Sequence, residues 1–220
     1  MKIQLMAEQR RVLGVLIEKS LATAEHYPMT LSAIVAACNQ KNNRDPVVNY
    51  GESNVGRVLY ELMQMNLVAQ ADSAPGARAN RFAHRVHEEL DWNRRHRAVM
   101  AELLLRGGQT VGELRTHSAR MVPLPDVAAV ISVLEELGNL DPPRVRVLPR
   151  QPGQAAIRYD HTLYPPEELA ASAPALPTAA PAGPVEAVTA SDLAARVDRL
   201  EAEVASLRAE VEDLRRSLTS

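Results

Sequence analysis

Apolar residues along this chain follow a helical period that gives way to short β-prone runs, and the whole pattern occurs twice. Val55, Val58, Leu59, Leu62, Met65 and Leu67 keep the i, i+3, i+4, i+7 spacing that lines one face of a helix. Val127, Val130, Ile131, Leu134, Leu137 and Leu140 repeat it. Each run passes into a β-prone stretch, Leu67-Val68 in one case and residues 145–148 in the other, and then into a turn at Pro75-Gly76 or Pro152-Gly153. The chain returns through Arg81-Phe82-Ala83-His84 and through Arg158-Tyr159-Asp160-His161, a matched Arg-aromatic-x-His. Both copies therefore predict a helix followed by a β-hairpin.

Upstream of each hairpin the pattern predicts two further helices. Residues 7–20, with Val12, Leu13, Leu16 and Ile17 on one side, precede a shorter run from Thr30 to Asn39. Residues 94–106, with Val99, Met100, Leu103 and Leu104, precede a run from Thr110 to Ser118. A threonine stands at the start of each shorter run, where its hydroxyl can cap the helix. Helix, helix, helix, hairpin is the order of a winged helix, which buries a small three-helix core and projects one ribbon. The expected fold is mainly α with small β-hairpins (α+β), with winged-helix domains at 1–90 and 91–165.

Beyond these the periodicity stops. Residues 166–190 are rich in Pro and Ala and predict a disordered linker. It resumes as heptads over 191–219, where Leu193, Val197, Leu200, Val204, Leu207, Val211, Leu214 and Leu218 alternate spacings of four and three. β-Branched residues at a with Leu at d favour a parallel two-stranded coiled coil. The g-to-e pairs between two such helices, Arg196 with Glu201, Glu203 with Arg208 and Glu210 with Arg215, are all opposite in sign. Self-association through this segment is expected, with a trimer or a different partner helix left open.

Aromatic residues make up only 3% of the chain, so the cores must be aliphatic. With Cys38 the only cysteine, an intrachain disulfide is excluded. Residues 1–14 lack the apolar centre of a signal peptide, and no run of about 18 apolar residues occurs, so a cytoplasmic protein without a membrane span is expected. The net charge of −2 is unevenly placed: +1 over residues 1–90, +2 over 91–165 and −5 over 166–220. A mildly positive globular part falls short of the strongly basic footprint of a tight DNA binder.

Candidate chemistry is concentrated in the first copy. On its third helix Asn54 and Arg57 face away from the apolar stripe, in the turns where a recognition helix meets the major groove, and their side chains suit bidentate contacts to base edges. A solvated polar face would show the same residues. The amide-rich run 39–46 either caps helices or brings Lys41 and Arg44 beside a phosphate backbone. Arg78 at the hairpin tip and Arg81 in its return strand can reach phosphate or minor groove. In the second copy Ala128, Ala129, Ser132, Glu135 and Glu136 lie outward, a poor reading head. Its cations, Arg115, Arg120, Arg144, Arg146, Arg150 and Arg158, either meet phosphates or form a solvated surface. No His, Cys, Asp and Glu spacing makes a convincing metal site, and there is neither a phosphate-binding glycine loop nor a nucleophile motif. Neither an enzyme nor a cofactor is expected; Cys38, in an apolar stripe with Leu31, Ile34 and Val35, reads as a buried thiol.

Four segments carry a family resemblance: 11–19 (RVLGVLIEK), 27–31 (YPMTL), 37–47 (ACNQKNNRDPV) and 103–115 (LLLRGGQTVGELR). Together they closely resemble the YceH-like family of bacterial tandem winged-helix proteins, and the match covers residues 5–165. The resemblance implies the fold and no substrate. Gly108 stands where the family usually has proline, and Ala155-Ala156 where its second hairpin usually carries Arg-Glu, which removes a cation. The leading functional expectation is a dimeric, transcription-regulator-like DNA-binding protein. The alternative is a winged-helix platform that binds a protein partner.

Overall fold

Six residues in a row, Val12 to Ile17, are buried on every side of helix α1 (Ala7–Ala22), and this sets the architecture, because such a helix needs neighbours all round. The structure, a computed structural model, describes residues 3–71, 79–150 and 156–171. Among them the fold is α+β, with eight α-helices and two three-stranded antiparallel sheets.

After α1 come β1 (Met29–Thr30), α2 (Leu31–Cys38), α3 (Glu52–Gln64), β2 (Val68–Ala71), β3 (Arg81–His84) and the short α4 (Val86–Glu89). The second copy runs α5 (Arg94–Arg106), β4 (Gln109–Thr110), α6 (Val111–Ser118), α7 (Val127–Gly138), β5 (Val145–Val147) and β6 (Arg158–His161). A last helix, α8, spans Pro166–Ala171. The turns at Pro75-Gly76 and Pro152-Gly153, and the heptad positions Leu193 to Leu218, lie outside the described residues.

The two copies agree down to strand register. Met29 and Thr30 pair with Phe82 and Arg81; Gln109 and Thr110 pair with Tyr159 and Arg158. Val68 lies opposite His84, as Val145 lies opposite His161. Thr30 accepts from the Ala33 amide at 3.4 Å, and Thr110 accepts from the Glu113 amide at 3.2 Å while Glu113 bonds back, so each threonine caps its helix as expected.

The copies meet along α1 and α5. At Gly14 an added Cβ would lie 3.0 Å from the Leu105 side chain and 3.1 Å from Leu104 Cβ, so the absence of a side chain there permits the close approach. The core is continuous across the junction, and one unit, Met1–Pro174, contains every described residue. The end of the unit closes back on its start: Arg10 lies over the Tyr164 ring at 4.4 Å and pairs with Glu168 at 2.7 Å. None of the described helices is long and apolar enough to cross a membrane.

Candidate functional site

The face proposed from sequence for nucleic acid is built differently from its expectation. Arg57 does sit on the exposed side of α3, its side chain 52% accessible, but Glu61 one turn on accepts from it at 2.5 Å and Glu8 of α1 accepts from its other arm. Asn54 is half-buried, and its amide donates to Glu8 at 2.7 Å. That bond, together with Arg57, holds the Glu8 carboxyl below its ordinary value. Asn54 and Arg57, expected from sequence to meet base edges, thus stand beside two carboxylates, and a phosphate backbone would meet negative charge there.

Arg44 is a correction. Expected at the surface beside phosphate, it is buried: its guanidinium grips Glu18 at 2.5 and 3.2 Å and donates to the Ala37 carbonyl at 3.1 Å. Burial alone would push the Glu18 carboxyl up. Arg44, with Lys19 and Arg120, outweighs it and holds the carboxyl low. Arg120 bridges onward from Glu18 at 2.8 Å to Glu102 of α5 at 2.5 Å, so an ionic chain runs through the junction of the copies. At Glu102 burial prevails over the Arg120 and Arg106 charges, and that carboxyl is raised.

Arg81 has a structural occupation as well. It donates to the Pro28 carbonyl at 2.8 Å, just ahead of β1, and its register equivalent Arg158 donates to the Gly108 carbonyl just ahead of β4. Arg78 lies outside the described residues. Lys41 and Arg81 are exposed and in no ion pair among the described residues, and Arg81 alone of these two is tied to a backbone carbonyl.

Residues 39–50 form a closed loop. Asn39 exchanges hydrogen bonds with both backbone groups of Tyr50, at 2.9 and 2.7 Å, so the capping reading of this amide-rich run holds at that end. Arg11 donates to the Pro46 carbonyl, the Asp45 amide bonds the Leu105 carbonyl at 2.9 Å, and Arg106 donates to the Asn43 side chain. Asn43 itself takes a φ of 61°, a left-handed conformation that asparagine tolerates. The first copy thereby reaches over to the second.

Between this loop and the second copy lies a polar cavity of about 680 Å³. Lys41, Asn42 and Asn43 come from the loop; Arg106, Gln109, His117 and Arg158 come from α5, β4, α6 and β6. Sequence reasoning missed Arg106, Gln109 and His117 entirely. The available signal was that segments 37–47 and 103–115, which carry the family resemblance, both contribute to the cavity wall.

The second copy offers a different surface. Val127 and Ile131, one turn apart on α7, are 48% and 37% accessible, and Val147 and Ile157 of the hairpin are 58% and 41% accessible. In the β5 and β6 register Val147 faces Tyr159, and the two-residue repeat puts Val147, Tyr159 and Ile157 on one side of the sheet. Helix α7 packs against β5, which makes the helix and hairpin neighbours.

His84 and His161, which end the matched Arg-aromatic-x-His of the two hairpins, are buried. His84 Nε2 lies 2.9 Å from Ser20 Oγ, and His161 stacks on Tyr164 with ring centroids 4.0 Å apart. No cluster of three or more His, Cys, Asp or Glu that could hold a metal occurs among the described residues.

Comparison with known proteins adds a family to this geometry. The family model described as Protein of unknown function, DUF480, matches residues 5–154. A UPF0502 protein of Geobacter sulfurreducens is 48% identical over 177 residues, 80% of either chain. One from Geobacter metallireducens is 50% identical over 153 residues, 70% of this chain and 69% of its own. One from Koribacter versatilis is 44% identical over 165 residues, 75% of this chain and 76% of its own.

Proposed function

The chain belongs to the DUF480 family, and we propose that it is a tandem winged-helix protein acting as a protein-interaction platform, paired with a second copy through its heptads. The observation that carries this reading is the exposure of four apolar side chains on two elements, Val127 and Ile131 of α7 and Val147 and Ile157 of the hairpin. In a winged helix the third helix and the ribbon are the elements that meet a target. Covering a half-exposed Val or Ile contributes about 1 kcal/mol each, enough for several together to anchor an interface. Exposed Glu135 beside them suits a partner with an apolar patch flanked by basic residues. Pairing rests on the a, d, g and e pattern of residues 193–218, which supports a parallel helix pair.

DNA binding is the second reading, and Arg57 is the observation that favours it. Its ion pairs with Glu8 and Glu61 are at the surface, where salt and competing partners weaken them. The same two carboxylates, and the burial of Arg44, place this reading behind the first.

The readings separate in one experiment on the full chain. Capture from a nuclease-treated extract is expected to recover one partner stoichiometrically, to lose it with Ile131→Lys and Val147→Lys, and to keep it with Arg57→Ala. Salt-sensitive binding to duplex DNA that Arg57→Ala abolishes and Val147→Lys leaves intact would overturn the platform in favour of DNA.

A further inference from the structure

The polar cavity between loop 39–50 and the second copy has more donors than its own acceptors occupy. Of its arginines, Arg44 is committed to Glu18, and Arg106 to Asn43 and, at 3.2 Å, to Glu102. Of its carboxylates, Glu113 is held by the Thr110 amide at 2.8 Å and hydroxyl at 3.0 Å, and Asp45 is exposed. Lys41 and Arg158 remain as cations in no salt bridge among the described residues, although Arg158 donates to the Gly108 carbonyl and its charge helps hold the Glu113 carboxyl low.

A neutral donor adds to them. Arg106 Nη1 lies 3.5 Å from His117 Nε2, and His117 Nδ1 lies 2.7 Å from Gln109 Oε1. With Arg106 donating to Nε2, the imidazole proton is on Nδ1 and points at the Gln109 oxygen. This fixes the Gln109 carboxamide, whose buried Nε2 has no hydrogen-bond partner. An unmatched buried donor at a cation-bearing cavity is a place where an acceptor-rich ligand recovers what the protein lacks.

We propose that this cavity binds a small phosphate ester, with Lys41 and Arg158 offsetting its charge and the Asn42, Asn43 and Gln109 amides donating to its oxygens. The cavity wall carries four cations, Lys41, Arg44, Arg106 and Arg158, against the two carboxylates of Asp45 and Glu113, a balance that suits the roughly −1.5 to −2 charge of a phosphate monoester at neutral pH. At about 680 Å³ the space is that of a small-molecule site. The walls are already held: Asn39 closes the loop on Tyr50, Arg44 locks it to Glu18, and the Asp45 amide fastens it to α5, so little ordering remains to oppose binding. Because both copies supply donors, the ligand spans their junction.

The test is calorimetric titration of the full chain with inorganic phosphate and with pyrophosphate, against chloride at equal ionic strength. One saturable site for the phosphates is expected, weakened about tenfold by Lys41→Ala, a loss of about 1.4 kcal/mol. Arg158→Lys, which keeps the charge but not the forked donor, is expected to weaken it as well. Val147→Lys and Arg57→Ala are expected to leave it unchanged, which separates this site from the partner surface. No saturable heat with either phosphate, or binding that Lys41→Ala and Arg158→Lys both leave intact, would overturn the assignment.

Discussion

Burial pushes the Cys38 thiol up to about 12, against a smaller opposing effect of the Arg11 and Arg44 charges, so at neutral pH the sulfur is a protonated apolar filler. An alkylating reagent is expected to label it only as the chain unfolds; labelling of the native protein at the rate of a free thiol would count against this. Burial likewise brings His84 and His161 to about 3 from 6.5. Between those values the unfolded chain binds more protons than the folded one, so stability falls as pH drops from about 6.5 towards 3. A urea midpoint that stays level across that interval would contradict it. At this scale the sequence was legible in kind but not in partnership. Cys38 reads as buried from its apolar neighbours alone. Arg44 and Asn54, by contrast, have the right chemistry for a nucleic acid, yet their carboxylates lie 26 and 46 positions away, where no local pattern reveals them.

Elements were legible wherever they had length. Six of the longer helices follow from apolar spacing, and two threonine caps from a single residue each. Strands β1 and β4, two residues apiece, have no period to read and were missed. The continuous apolar runs at Val12–Ile17 and around Leu103 pointed to helices buried on more than one side, a signal stronger than the one-sided stripe taken from them. Their packing makes two predictions. Gly14→Val drives a branched side chain into Leu104 and Leu105 and is expected to cost about 1 to 3 kcal/mol by chemical denaturation. Arg44→Met leaves Glu18 with less of its compensation in a buried place and is expected to cost about 3 kcal/mol, whereas a surface phosphate contact would cost almost none.

For the molecule as a whole, α1 against α5, the ionic chain from Arg44 to Glu102, and Arg10 on Tyr164 and Glu168 all link the first copy to the second. A boundary at residue 90 therefore divides the repeat but not the core. Residues 3–150 are expected to unfold in one step, with fluorescence of buried Trp92 and far-ultraviolet dichroism giving the same midpoint. Two separated transitions would show that the copies are thermodynamically independent. The sequence could reveal the duplication, because repetition is visible along a line. It could not reveal that the halves had fused, since that depends on which apolar faces find each other.

Arg81 and Arg158 sit at the same lattice point of their sheets, each fastening the edge strand by the carbonyl ahead of it. A doubled gene that retains one such rivet in each descendant keeps its scaffold while the outward side chains drift. One half then sets its outward arginine between carboxylates and the other leaves valines and isoleucines uncovered, and neither loses its shape.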